Sequence, residues 1–166
     1  MHSDDLTILE RFKGICKTGH SNPHPRGLGR RFNFILPPGS DDTMRFTKEE
    51  YVIRDGDSFL RFVSRIPEKA MVFSPAPPPN KDPLLRRPEI DFENHVALVI
   101  VSHEPNCFID LNIVGVKLAG KARQVLCRYY EPGPVVQKIL SYGTYCLAVV
   151  HRFDGDVVFV EEENVP

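Results

Sequence analysis

A histidine and a cysteine lie four residues apart near the middle of the chain, and together they could supply a nucleophile and its general base. Cys107 would attack as a thiolate, and His103 would accept its proton. Catalysis would also require hydrogen-bond reach between the two and donors for an oxyanion, and the sequence indicates no such donors. A small hydrolase using the His103/Cys107 region is therefore an alternative to a β-turn with a cysteine packed under it.

Cys16, His20 and His24 follow one another at intervals that would share one face of a helix and could bind zinc. Pro23 and Pro25 exclude that helix. The sequence offers no clear fourth ligand, so we expect an ordinary polar loop, with no metal site and no cofactor.

Two carboxylates flank Phe92, at Asp91 and Glu93, and paired acids can hydrolyse glycosides when they are suitably separated. Two residues so spaced share a face only on a strand. This pair precedes a predicted strand, which favours a role in a turn or at a sheet edge.

Residues 11–31 are rich in basic side chains and lie close to Phe12, Phe32 and Phe34. Such a mixture can bind single-stranded nucleic acid through phosphate neutralisation and base stacking. The net charge of −1 argues against nucleic-acid binding. A nucleic-acid-binding module is therefore an alternative and not the leading interpretation. The basic residues are Arg11, Lys13, Lys17, Arg26, Arg30 and Arg31.

The chain has 166 residues, which fits a single domain spanning 1–166, with 1–45 as a less certain N-terminal part. No apolar run is long enough to span a membrane. The start MHSDDLTILERFK does not resemble a signal peptide, which predicts a cytoplasmic protein unless a leader is missing. None of the cysteines forms a C-x-x-C pair, and Cys127 and Cys146 lie in apolar runs typical of buried free thiols.

The second half of the chain is a succession of apolar runs separated by turn residues, which predicts antiparallel strands. FDGD between the last two runs is typical of a tight hairpin turn. Residues 6–19 fit a strand or a short helix, and the runs RFNFIL and YVIRD predict two further strands. The later runs are HVALVIVS, FIDLNIVGVKL, ARQVLCRYY, TYCLAVVHRF and DVVFVEEE.

One helix is predicted over SFLRFVSRI, begun by Asp55 or Asp57 and ended by Pro67. Its apolar residues share one face and should pack on a sheet. The proline-rich segment 74–88 should be an exposed loop. The expected core comprises Phe59, Phe62, Ile66, Val96, Leu98, Ile100, Ile113, Leu126, Ile139, Leu147, Val149 and Val158.

The order of three segments resembles the C-terminal domain of protease complex subunit PrcB, a non-catalytic partner of a secreted bacterial protease. The segments are YVIRDGDSFLRFVSRI, PEIDFENHVALVIV, and YYEPGPVVQKILSYGTYCLAVV followed by DVVFV. Two features depart from that family. Its Thr-Gly-Gly-Tyr type turn is replaced here by residues 104–108, and its helical Trp is absent, so that Phe59 and Phe62 would take over the packing of that Trp.

These observations predict an α+β fold, mainly antiparallel β (a sandwich or partly open barrel), with one main helix packed on a sheet. The resemblance implies a non-enzymatic protein-binding or accessory domain that assists a protease or another protein partner. Its binding face is expected in loops at one end of the sheet, with 74–88 as a further contributor. The candidate partner-binding residues are His103, Glu104, Asn106, Phe108, Tyr130 and Glu131.

Overall fold

The computed structural model describes residues 5–17, 47–70, 74–103, 110–130 and 142–162, with Thr47, His103 and Tyr130 described by their backbone alone. Within these ranges, seven strands and one α-helix form the frame. In chain order they are β1 (Ile8–Lys17), β2 (Thr47–Ile53), α1 (Gly56–Val63), β3 (His95–His103), β4 (Asp110–Ala119), β5 (Ala122–Tyr130), β6 (Tyr142–His151) and β7 (Val157–Glu161). Residues 6–19, which fit either a strand or a helix, therefore contain strand β1.

The strands form two sheets that pack face to face. One has four strands in the order β1-β6-β3-β2, and the other has three in the order β4-β5-β7. Every pair of neighbouring strands is antiparallel except β5 and β7. The predicted α+β fold with mainly antiparallel sheets is confirmed.

The strand β3 is buried on both faces, which explains its uninterrupted apolar sequence. Val96, Leu98 and Ile100 enter the core between the two sheets. Ala97 and Val99 point to the opposite face, which is covered by α1 and the proline-rich segment. Burial of each large side chain contributes about 1.5–3 kcal/mol, so this strand anchors both cores.

Helix α1 begins and packs as the sequence predicts but ends earlier. The Asp55 side chain accepts a hydrogen bond from Ser58 N at 2.7 Å and so caps the first turn. The predicted apolar face, including Phe59 and Phe62, is buried against the four-stranded sheet. The helix stops at Val63, before Pro67, and Ile66 is buried from the turn that follows.

The prediction that 74–88 is an exposed loop is wrong for its second half. Pro83–Arg86 forms a 3₁₀ helix, and Leu84 is fully buried against the four-stranded sheet. Asp82 caps this turn by accepting a hydrogen bond from Leu84 N at 2.9 Å. Proline favours the first turn of a helix, so its abundance did not exclude helical structure here. The first half does expose residues 74–76.

Two more expectations are corrected by the assignment of strands to sheets. FDGD does not form a hairpin, because β6 and β7 belong to different sheets. Val158 is 48% exposed and Leu126 is half-buried, because both lie on the outer face of the three-stranded sheet, whereas Val125 and Cys127 point inward. Ile139 lies outside the described residues, and the other expected core residues are buried.

Candidate functional site at the loop-bearing end of the sandwich

Three connections of the chain leave the sandwich from the same end, which we call the loop-bearing end. They are residues 18–46, 104–109 and 131–141. Within each sheet the strand register places the residues that flank the connections opposite one another. The Cα partners are Lys17 with Tyr142, Thr47 with His103, and Asp110 with Tyr130. The Lys13–Asp110 ion pair, 3.0 Å long, joins the corresponding ends of the two sheets.

Two of the predicted partner-binding residues are strand-terminal residues at this end. His103 is the last residue of β3 and Tyr130 is the last residue of β5. The remaining four, Glu104, Asn106, Phe108 and Glu131, lie outside the described residues, as does Cys107. The described strand ends that flank the segments carrying the six candidates lie at this end of the fold.

Two basic side chains of β1 link the two sheets beside this end. Arg11 Nε donates to the carbonyl oxygen of Ile113 at 3.1 Å, and Lys13 Nζ lies 3.0 Å from Asp110 Oδ1. Phe12 packs toward the helix-covered core. In the described part of segment 11–31, these groups hold strands together, while Arg26, Arg30, Arg31, Phe32 and Phe34 lie outside the described residues.

An arginine joins the end of the helix to β1 and β2 at the loop-bearing end. Arg65 Nη2 lies 2.7 Å from Glu49 Oε2, and Glu49 is buried. Arg65 Nε donates to the carbonyl oxygen of Lys17 at 2.8 Å, and Lys17 N donates back to Arg65 O at 2.7 Å. The Tyr51 hydroxyl also donates to Glu49. We call Lys17, Glu49, Tyr51 and Arg65 the Arg65 cluster; it fixes the point where the chain leaves β1.

Burial and charge shift the proton affinities of groups near the Arg65 cluster. Burial, together with the hydrogen bond to Glu49, raises the pKa of Tyr51 to about 12. Burial raises the pKa of Cys16 to about 12, with Arg65 acting in the opposite sense. A neutral thiol without exposed surface is a poor nucleophile at physiological pH.

A buried carboxylate attaches the proline-rich segment to the middle of the four-stranded sheet. Asp82 accepts a hydrogen bond from the Tyr145 hydroxyl, with both carboxylate oxygens at 2.8 Å. Burial, together with this bond, raises the pKa of Tyr145. Asn80 supports the segment by donating from Nδ2 to Pro67 O at 2.7 Å. Pro67 follows Arg65 closely, so the base of the proline-rich segment also lies near the loop-bearing end.

All three described cysteines, Cys16, Cys127 and Cys146, are buried free thiols within strands. Buried free thiols were predicted for Cys127 and Cys146. Burial raises the pKa of Cys127 to about 12 and also raises that of Cys146. These side chains pack as small apolar groups in the described part of the fold.

The carboxylate pair at Asp91 and Glu93 lies in a turn, in agreement with the turn interpretation. Asp91 Oδ1 accepts from Glu93 N at 3.0 Å and Oδ2 accepts from Asn94 Nδ2 at 2.6 Å. These bonds hold the pKa of Asp91 below its ordinary value. No group of three or more His, Cys, Asp or Glu side chains suited to a metal occurs among the described residues, and His20 and His24 lie outside them.

Sequence reasoning missed Arg65 and Asp82, the residues that organise this region. Asp82 did carry a usable signal, because Asp followed by Pro is typical of a helix N-terminus. Arg65 carried none, since its partners Glu49 and Lys17 lie on strands whose pairing the sequence does not specify.

Comparison of the chain with protein-family models, with curated proteins and with solved structures found no match in any of the three. No helix in the described ranges has the length and apolar character needed to cross a membrane.

Proposed function

We propose that this chain is a non-enzymatic protein-binding or accessory domain that contacts its partner through the loop-bearing end. The observation that carries the proposal is that the strand ends flanking three connections lie together at that end of the sandwich. Loops held by a rigid sheet are a common way of building a recognition surface. The resemblance to the PrcB C-terminal domain adds an accessory role beside a protease as the kind of function to test first.

Rigidity of the supporting strands favours binding at this end. The Arg65 cluster and the Lys13–Asp110 pair hold the strand ends on the two edges of the sandwich. Lys48 adds a contact with the ring face of Tyr129, 5.6 Å from its centroid. Preorganised strand ends reduce the ordering that a partner would otherwise have to impose.

The buried carboxylates Glu49 and Asp82 are engaged in structural contacts, which favours binding over catalysis. Glu49 is paired with Arg65, and Asp82 accepts hydrogen bonds from Tyr145 and from Leu84 N. Burial raises the pKa of Cys16, Cys127 and Cys146. A hydrolase would therefore depend on His103 and Cys107.

The binding proposal is tested by capture of partners from the native host. The bait variants replace 104–108 by a Gly-Ser linker or change Glu131 to Ser. The matched control is Lys121→Ser, an exposed residue of the β4–β5 hairpin at the opposite end. We expect a partner that is recovered by wild type and by Lys121→Ser and is depleted at least tenfold by the loop variants. Equal recovery by all folded variants would remove the loop-bearing end from the argument.

The hydrolase alternative is tested by the reactivity of Cys107. An alkylating agent at neutral pH should label native protein mainly at this residue, since the three described thiols are buried. Cys107→Ser provides the control that removes the label. We expect labelling no faster than that of a free cysteine, whereas acceleration that disappears in His103→Gln would favour a nucleophile and its base.

A further inference from the structure

Two histidines face each other across the central strands at the end of the sandwich opposite the loops. His95 begins β3 and His151 ends β6, and the two are Cα partners in the register. Their ring centroids are 5.4 Å apart, with 31° between the ring planes. His151 is exposed and His95 is half-buried, so solvent ions have access to the pair.

The backbone fixes which nitrogen of His95 is available. Nδ1 lies 3.1 Å from the carbonyl oxygen of Asp91, and a carbonyl oxygen only accepts hydrogen bonds. Nδ1 therefore carries the hydrogen, and in the neutral ring Nε2 carries the lone pair. Metal-binding histidines are commonly oriented in this way, with one ring nitrogen donating to a carbonyl and the other bound to the ion.

The turn that supplies this carbonyl is itself well held. The Asp91 carbonyl oxygen also accepts from His95 N at 2.8 Å and from Asn94 N at 3.2 Å. The Asp91 carboxylate accepts from Glu93 N and Asn94 Nδ2 in the same turn. The orientation of the His95 ring is thus set by a turn with several internal hydrogen bonds.

We propose that His95 and His151 form a two-histidine site for a divalent transition-metal ion of the zinc, nickel and copper class. Imidazole nitrogen suits these ions, whereas magnesium and calcium favour oxygen ligands. With nitrogen–zinc bonds of about 2.0–2.1 Å and a tetrahedral angle, two ligating rings have centroids roughly 5 Å apart. The spacing of 5.4 Å is close to this value.

Such a site has open coordination positions. The described residues bring no third His, Cys, Asp or Glu to the pair, so two or more positions would be filled by water or by an external donor. The nearby Arg152 side chain is engaged by donation from Nη1 to Phe92 O. Binding would link the ends of β3 and β6 and so favour the folded state by mass action.

The probe is Zn²⁺ alone, added to a background chain in which the other histidines are replaced by glutamine: His2, His20, His24 and His103. Calorimetric titration should give one Zn²⁺ per chain. His95→Gln or His151→Gln in that background should weaken binding at least about tenfold, as expected for loss of one of two ligands. Mg²⁺ titrated over the same concentrations as Zn²⁺ should give no binding. Zn²⁺ should raise the unfolding midpoint of the background chain and should leave that of the His95→Gln and His151→Gln variants unchanged.

Three outcomes would overturn the proposal: no Zn²⁺ binding by the folded background chain, binding unchanged by both glutamine substitutions, or equal response to Mg²⁺. Unfolding curves without metal show whether each variant is folded. The site lies opposite the loops, so replacement of 104–108 should leave Zn²⁺ binding unchanged. Failure here would leave the protein-binding proposal untouched.

Discussion

The Asp82 carboxylate packs against the bare Cα of Gly14, so that a side chain at position 14 would occupy the space of Asp82 Oδ2. A Cβ at this position would also come within 2.9 Å of Tyr145 Cε1. The carboxylate is simultaneously bound by the Tyr145 hydroxyl and by Leu84 N. β1, β6 and the proline-rich segment therefore meet at one buried acid, and glycine is required for the close approach.

Gly14→Ala should destabilise the fold by about 1–3 kcal/mol, as overpacking of a filled site does. Urea unfolding measures the change. Gly115→Ala is the matched control on β4, because a Cβ there would meet only Leu126 Cδ1 at 3.9 Å, an ordinary contact. Asp82→Ala should relieve the clash at position 14. The combined Gly14→Ala and Asp82→Ala variant should therefore lose less free energy of unfolding than the sum of the losses of the two single variants. Additive losses would contradict the proposed contact.

Arg65→Met should cost roughly 2–4 kcal/mol, because it leaves the buried Glu49 carboxylate without its cation. The side chain of Glu49 is 6% exposed and that of Arg65 21%, so solvent can replace the lost charge only in part. Arg61→Met, on the exposed side of α1, is the control and should stay within about 0.5 kcal/mol. Equal losses for the two variants in urea titrations would show that the pair adds no more stability than a surface arginine.

Stability should fall at alkaline pH through the buried thiols. Burial raises the pKa of Cys16 and of Cys127 from 9.0 to about 12, so the folded state retains protons that the unfolded state releases. Their contribution is fully present below pH 9 and is lost as pH rises from about 9 to 12. Cys127→Ala should therefore flatten the decline of unfolding free energy between pH 8.5 and about 11. An unchanged slope would mean that this thiol ionises equally in both states. Cys16→Ala tests the second thiol separately.

The sequence predicted those elements whose burial is encoded locally. β3 was recognisable because an unbroken apolar run suits a strand covered on both faces, and α1 because its apolar residues share one helical face and Asp55 caps it. Features that depend on sheet assignment and register were not predictable. FDGD encodes a turn but not the sheet that β7 joins, and the histidine pair exists only because β3 and β6 align His95 with His151.

Less can be said of the candidate site. The sequence led us to expect a binding face in loops at one end of the sheet, and the strand ends that flank those segments lie together, whereas the segments themselves lie outside the described residues. The supporting contacts of Arg65 and Asp82 join segments far apart in the chain, which no local pattern encodes.

The outer face of the three-stranded sheet provides the last prediction. Val158 and Val160 alternate with Val157 and Phe159 in β7, so both faces of the strand are apolar and the pattern alone does not identify the inner one. Leu98→Ala, in the core between the sheets, should cost about 2–5 kcal/mol. Val158→Ala, at a side chain that is 48% exposed, should cost no more than about 0.5 kcal/mol. Urea titration of both variants measures the difference. A loss at Leu98 below about 1 kcal/mol, or one at Val158 as large as that at Leu98, would contradict the arrangement of the two sheets.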